Sequence, residues 1–355
     1  MPFTTTEIQN GGKAVLDFHI KNKPIDQIQT DRPWVKQLMK TARTFPGAKQ
    51  YVTEQLRKTY GSNFQWYFGA QLVTYNSRQT LDQAQFSWSG AHDGFYLDED
   101  RLLQHGIKVS DDRKQSANVP SEAERMQLTN LLTEETEALR LGFEEKFDYE
   151  LHLDGTQDTE AVAGLEFLLT TDTATTTSGT VGGIAWTSSS NTWWANNSAK
   201  GLTSGTILAT MEKQWRKCTR NGGRPNFLLC GQTYLDTYVA ALRAAGTGQY
   251  QITGVPQADG GFPVSGSDGL FFKGVPMIYD PVMADLDAAL SPTIAYENRC
   301  YMLNMRHLRL RPAEGHNMVT RKPPREYNRY VFYWAITWKG ALTINRRNAH
   351  SVLSV

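Results

Sequence analysis

The chain has 355 residues, 37 Lys/Arg against 36 Asp/Glu, and 11% aromatic residues including nine Trp. That length supports about two domains and a core that needs no disulfide or metal staples. The balanced charge takes a globally basic nucleic-acid binder and an acidic tail out of the front rank, and the aromatic content argues against disorder. Cys218, Cys230 and Cys300, with no CxxC pair, exclude a disulfide framework and read as reduced, buried thiols. The start MPFTTTEIQN lacks the basic and apolar regions of a secretory signal. The longest apolar candidate, Tyr330–Trp338, is far short of the roughly 18 residues that span a bilayer, so no membrane partner is expected.

Locally the charge is segregated. Residues 1–60 carry a net +5, residues 121–155 a net −7 and residues 301–355 a net +8. Two basic ends around an acidic middle suggest segments that meet, within one chain or between copies.

In chain order, residues 1–60 read as an extended arm, with one short helix at Trp34–Ala42 and a candidate second at Tyr51–Tyr60. From Trp66 to Val73 apolar and aromatic residues occupy both faces of an expected strand, and Tyr75–Arg78 is a turn signal. A second strand near Gln85–Ser89 makes residues 61–118 a long hairpin with excursions, and Leu102–Val109 is a short apolar segment. A hairpin of that size is marginal alone and needs a neighbour.

Residues 121–153 give the clearest helix. Ser121 and Glu124 form a capping box, Gly155 is placed as the C′ stop, and Leu128, Leu132, Leu139, Phe143, Phe147 and Leu151 lie on one stripe. Its other faces carry Glu134, Glu137 and Glu144 among further acids. Residues 169–192 form a Thr/Ser/Gly-rich loop that leads into Trp193-Trp194, a pair read as an interface anchor rather than a sugar platform. The next folded part alternates helix and strand: a helix at Leu202–Cys218, a strand at Asn226–Leu229 and a helix at Gln232–Ala245. A mobile Gly-rich loop at 246–269 and strands at Gly269–Tyr279 and Tyr301–Leu310 complete it. The last strand, Tyr330–Ile344, sets Phe332, Trp334, Ile336 and Trp338 on one face.

Phosphate-loop, dinucleotide, nucleophile-elbow, HExxH and EF-hand patterns are absent. Asp98-Glu99-Asp100 and the pair Asp154/Asp158 read as solvated turns, and His307 and His316 beside Arg309 and Arg311 lack a partner acid or nucleophile. The search yields no catalytic, cofactor or metal residues and argues against an enzyme.

The order of parts, together with Gln65–Gly69, Ala91–Phe95, Thr192–Asn196, Lys273–Met277 and Trp334–Arg347, resembles the major capsid proteins of tailed bacteriophages with the HK97-type fold. The resemblance implies an α+β fold: N-arm 1–60, E-loop 61–118, P-domain 119–204 with its spine helix, A-domain 205–325 and a terminal P-domain strand 326–355. It implies a coat protein that forms pentameric and hexameric capsomers enclosing double-stranded DNA without sequence specificity, in a virion assembled in the bacterial cytoplasm. A separate scaffolding protein, a portal protein and a decoration protein are the implied partners. Candidate subunit contacts are Trp66, Tyr67, Phe68, Val73, Glu134, Glu137, Glu144, Trp193, Trp194, Arg346 and Arg347. Two alternatives stay open: an encapsulin-like shell around protein cargo, and a carbohydrate-binding or carbohydrate-active protein.

Overall fold

The computed structural model describes residues 31–47, 49–104, 122–174, 176, 178–220, 222–244, 270–290, 292, 294–324 and 331–355. The arm before residue 31, the capping residue Ser121, most of Leu102–Val109 and all of the 246–269 loop lie outside the described residues. So does the side chain of Leu128.

The first elements are α1 (Pro33–Thr41), β1 (Tyr51–Arg57), β2 (Leu81–Ser87), β3 (Ser89–Asp98), α2 (Glu99–Gln104) and α3 (Glu122–His152). Short pieces follow: α4 (Leu165–Leu168), β4 (Thr180–Val181), β5 (Ile184–Ala185) and β6 (Asn197–Ala199). Next come α5 (Ile207–Arg220), β7 (Phe227–Cys230), α6 (Gln232–Ala244), β8 (Phe271–Phe272), β9 (Val275–Tyr279) and α7 (Val282–Leu290). The chain closes with β10 (Arg299–Leu303), β11 (Leu308–Pro312), β12 (Val319–Arg321), β13 (Val331–Ile344) and β14 (Ser351–Ser354). These elements fall into two compact units, one from residues 91–147 and 315–338, the other from 31–90, 148–314 and 339–355.

In the first unit, the expected stripe of α3 is buried at Leu139, Phe143 and Phe147, with Leu131 added and Leu132 half-buried. Phe147 packs on Trp338 with ring centroids 4.7 Å apart. A second cluster joins Leu97, Leu102 and Leu131 to Phe95, Phe332 and Trp334, and the Phe95 and Trp334 rings stack nearly parallel at 5.5 Å. β3 and β12 both pair with β13, and Gly94 crosses so close that a Cβ there would meet the Trp334 carbonyl at 2.8 Å.

The second unit holds a mixed six-stranded sheet in the order β6-β14-β10-β7-β9-β8, with parallel pairs β14/β6 and β7/β9. Met211 and Trp215 of α5 and Tyr234, Leu235 and Tyr238 of α6 bury against Leu228, Met277, Met302 and Leu353 of that sheet. Both helices are amphipathic for this reason. All three cysteines are buried and unbridged, and burial pushes the Cys218 thiol up to about 12. Gly231 ends β7 in very tight quarters: a Cβ there would fall 2.3 Å from the Glu297 carbonyl oxygen, a backbone atom that cannot swing away. Gly231→Ala is therefore expected to destabilise the unit by about 1–3 kcal/mol, as overpacked sites do. A urea midpoint equal to that of the unaltered chain would refute this.

The structure corrects several local expectations. Tyr51–Arg57 is a strand, not a helix: Val52 and Leu56 lie four apart, which suits a helix, but seven register pairs with Leu81–Ser87 hold the segment extended. Residues 66–73 form no strand, and among the described residues no strand pairs with their backbone. α5 starts at Ile207 rather than Leu202, and the expected strand at 301–310 divides into β10 and β11. Gly155 does adopt φ of +84°, but three residues past the last helical residue, His152.

Candidate assembly surface

The base of the β1–β2 hairpin is anchored in the second unit. Val52, Leu56, Ala84 and Phe86 are buried, the Gln85 N–H donates to Gly182 O at 2.9 Å, and Glu54 accepts from Arg311 Nη2 at 2.7 Å and from Thr343 Oγ1 at 3.1 Å. The ladder extends one step further, with Lys58 N–H donating to Thr80 O at 3.0 Å. Beyond it the chain leaves regular structure until β2 begins at Leu81.

That excursion is ordered by polar side chains and decorated with apolar ones. Gln65 Oε1 accepts from Thr74 N–H at 3.2 Å, and Gln65 Nε2 donates to Asn63 Oδ1 at 3.0 Å and also to Thr74 Oγ1. At the tip, Phe68 N–H donates to Gln71 Oε1 at 3.2 Å, and Gly69 takes φ of +58°, a conformation that favours glycine. Trp66 is 89% exposed, Phe68 88% and Leu72 98%, and Tyr60, Phe64, Tyr67 and Tyr75 are exposed with them. Phe64 and Trp66 meet edge to face at 5.1 Å, and the other exposed apolar side chains lie within the same excursion, between Tyr60 and Tyr75. Sequence reading found Trp66, Tyr67, Phe68 and the less exposed Val73, but it placed them on a strand and left out Tyr60, Phe64 and Tyr75.

The other candidate residues divide. Glu134 is exposed, while Glu137 and Glu144 are half-buried and Glu144 is paired with Arg140 at 2.7 Å. Arg346 is exposed. Trp193 is half-buried, but Trp194 is buried within its own unit, where its Nε1 donates to Val181 O at 2.9 Å. Arg347 is likewise fully buried: its guanidinium donates to Leu168 O at 2.8 Å and to Trp194 O and Asn196 Oδ1, each at 3.1 Å. The expectation that Trp194 and Arg347 touch a neighbouring subunit is therefore corrected, since their polar groups and surfaces are consumed inside the chain. Burial pulls Arg347 down to about 9, so it stays charged at neutral pH and is held by carbonyls and an amide. Arg347→Lys should cost about 1–3 kcal/mol, because an ammonium cannot reach all of these acceptors and leaves some orphaned. Thermal unfolding of the variant at the wild-type temperature would overturn that expectation.

One buried ionic cluster went unread in the sequence. His152 Nε2 lies 2.9 Å from Asp280 Oδ2, and His152 Nδ1 lies 2.8 Å from the Asp148 carbonyl oxygen. Both partners only accept, so both ring nitrogens donate and the imidazole is cationic. Burial by itself would lower its pKa, but Asp280 and Asp148 outweigh that and hold it at about 9. Burial raises the Asp148 carboxyl well above the usual range, with His152 opposing and Asp280 adding to the rise. The only sequence signal was the spacing of Asp148 and His152 by one helical turn. Among the described residues no group of three or more His, Cys, Asp or Glu is placed to hold a metal ion, and no helix is long and apolar enough to cross a membrane.

No family model matches the sequence, and no curated protein matches it. Solved structures do. The capsid of cyanophage A-1(L) superposes with a TM-score of 0.63 at 13% identity, covering 94% of this chain and 95% of that one. The capsid of Myoviridae phage XM1 gives 0.53 at 12% identity over 100% and 99% of the two chains. A structure from Mycobacterium phage Bobi gives 0.51 at 10% identity over 100% and 99%. The chain has the α+β, HK97-type fold of tailed-phage capsid subunits.

Proposed function

We propose that this chain is the structural major capsid protein of a tailed bacteriophage, building pentameric and hexameric capsomers into an icosahedral head around double-stranded DNA. The observation that carries this reading is the aromatic patch at the end of the β1–β2 hairpin, displayed on a capsid fold. An apolar patch of that size on an excursion without regular structure calls for a second surface, and many identical copies supply one. On this reading the role is structural rather than enzymatic. The proposal retains the arm, E-loop, P-domain, A-domain and terminal-strand division expected from the sequence, with Tyr51–Arg57 moved from the arm to the base of the hairpin. Scaffolding, portal and decoration proteins are the further partners, and the product is a virion assembled in the host cytoplasm.

The experiment is negative-stain microscopy and light scattering of the full-length protein at high concentration, with and without co-expressed scaffold. Closed particles that protect nucleic acid from nuclease support the reading. Particles holding only protein cargo point to a nanocompartment, and a chain that stays monomeric under every condition refutes a shell. The structural neighbours do not favour the carbohydrate alternative, and Trp194, one of the pair that would stack on a sugar, is buried inside the protein.

A further inference from the structure

The six-stranded sheet of the second unit brings two thiols face to face. Cys230 closes β7 and Cys300 is the second residue of β10, and the antiparallel register sets them directly opposite each other. On the β9 side the Cys230 carbonyl accepts from Asp280 N–H at 3.1 Å, while on the β10 side Gly231 N–H donates to Arg299 O at 3.0 Å. Cys230 and Cys300 are therefore a non-hydrogen-bonded pair, the kind in which opposed side chains come closest. Their sulfurs lie 3.2 Å apart, and both residues are fully buried.

Buried cysteines ordinarily serve as small apolar side chains. Cys218 fits that description, since its sulfur accepts from Asn197 Nδ2 at 3.6 Å and, among the described residues, meets no second thiol. Geometry sets the other two apart. In a non-hydrogen-bonded antiparallel pair the Cα atoms stand about 4.5 Å apart, inside the ~4.4–6.8 Å that a disulfide spans. Side-chain rotation can close the bond with the ladder intact. We propose that Cys230 and Cys300 are an oxidation site, at which a peroxide joins the two thiols into one cross-strand disulfide that staples β7 to β10.

One sulfur, as thiolate, attacks a peroxide oxygen; the O–O bond breaks, water leaves and a sulfenic acid remains. The second sulfur attacks that sulfenic sulfur, the S–O bond breaks, and the departing hydroxide takes the second thiol's proton to give another water. Two electrons pass from the sulfurs to the peroxide, so two thiols and hydrogen peroxide become one disulfide and two waters. Burial pushes the Cys230 thiol well above the ordinary range, with Cys300 adding to the rise. Thiolate is scarce in that setting, so oxidation is slow and the dithiol persists in reducing surroundings. Once formed, the bond links positions 70 apart, encloses α6, β8, β9 and α7, and restricts the unfolded chain. The chemistry lies within one subunit and needs no shell.

The test exposes the folded, full-length protein to hydrogen peroxide, labels free thiols with N-ethylmaleimide in urea, and maps unreduced peptides by mass spectrometry. The expected product is a Cys230–Cys300 cross-linked peptide from a chain lighter by two hydrogens, with Cys218 still labelled. The oxidised chain should unfold at a urea concentration higher by about 1 M, and dithiothreitol should restore the starting midpoint. Cys300→Ala removes the second sulfur and should show no gain with peroxide; an equal gain in that variant overturns the staple. Full labelling of Cys230 and Cys300 after a day in peroxide overturns the site, as does a sulfinic acid at either position or a bond to Cys218. The labelling pattern is read on the unaltered chain, so it decides the matter even where the alanine variant folds poorly. Monomers and particles report the same intramolecular bond, so its absence leaves the shell reading untouched.

Discussion

Replacing Trp66, Phe68 and Leu72 together by Ser leaves a folded, monomeric subunit that no longer forms particles. All three side chains project into solvent from residues that belong to no strand, so the folded subunit gains almost nothing from them. The hairpin base, with Val52, Leu56, Ala84 and Phe86 buried, is untouched by the change. Between copies the balance reverses. Two aromatic anchors that become fully buried at an interface are worth about 2 kcal/mol or more each and burial of Leu72 about 1.5 kcal/mol, so losing all three removes on the order of 5 kcal/mol from every contact. That is about a thousandfold or more in each pairwise association, repeated over the shell. Sedimentation velocity and negative stain read the loss, and circular dichroism with a urea midpoint reads the fold. Particles of normal yield would sink the idea, and a collapsed circular dichroism spectrum would assign the loop to the subunit core instead.

Asp280→Asn should cost the second unit about 3–5 kcal/mol near pH 6, since it strips the counter-charge from a buried imidazolium. The asparagine oxygen can still accept from His152 Nε2, so geometry is kept and charge compensation is lost. The pH dependence follows from the same pair. His152 has an ordinary value of 6.5 and is held at about 9 in the fold, so the folded state binds the extra proton. Its contribution is fully present below pH 6.5 and disappears as pH rises through about 9. Asp148 acts in the same direction at lower pH: its raised carboxyl favours the fold below its unfolded value of 3.8, and that contribution fades as pH rises through the raised one. The unaltered protein should therefore lose stability on going from pH 6 to pH 9.5. The shift of His152 corresponds to about 3 kcal/mol. In the Asp280→Asn protein most of this slope should vanish and the two proteins should converge at high pH. Urea unfolding at both pH values measures it; parallel pH profiles for the two proteins would show that the His152 imidazole is not cationic in the fold.

The elements that carry their own periodic signal were legible in the sequence. The stripe from Leu139 to Leu151 declared α3, since every fourth residue of a long acidic segment is apolar, and the core accepted that face. The C-terminal aromatic alternation declared β13, and Gln232–Ala244 was helical almost to the residue. A resemblance in the order of parts reached the capsid fold, because that order follows from local signals laid end to end.

What tertiary structure alone decided were the facts that depend on a partner distant in the chain. Val52 and Leu56 fit either period, and only the pairing with Leu81–Ser87 made Tyr51–Arg57 a strand. Trp66–Val73 alternates like a strand yet is none, because strand conformation is stabilised by a neighbour's hydrogen bonds and not by its own side chains. Trp194 and Arg347 looked like surface anchors until residues about 150 positions apart closed around each other. His152 and Asp280 are separated by 128 residues, so no local spacing could reveal their ion pair. Local sequence fixes what a segment prefers over a few residues; burial, pairing and ionisation are set by whatever the folded chain brings alongside.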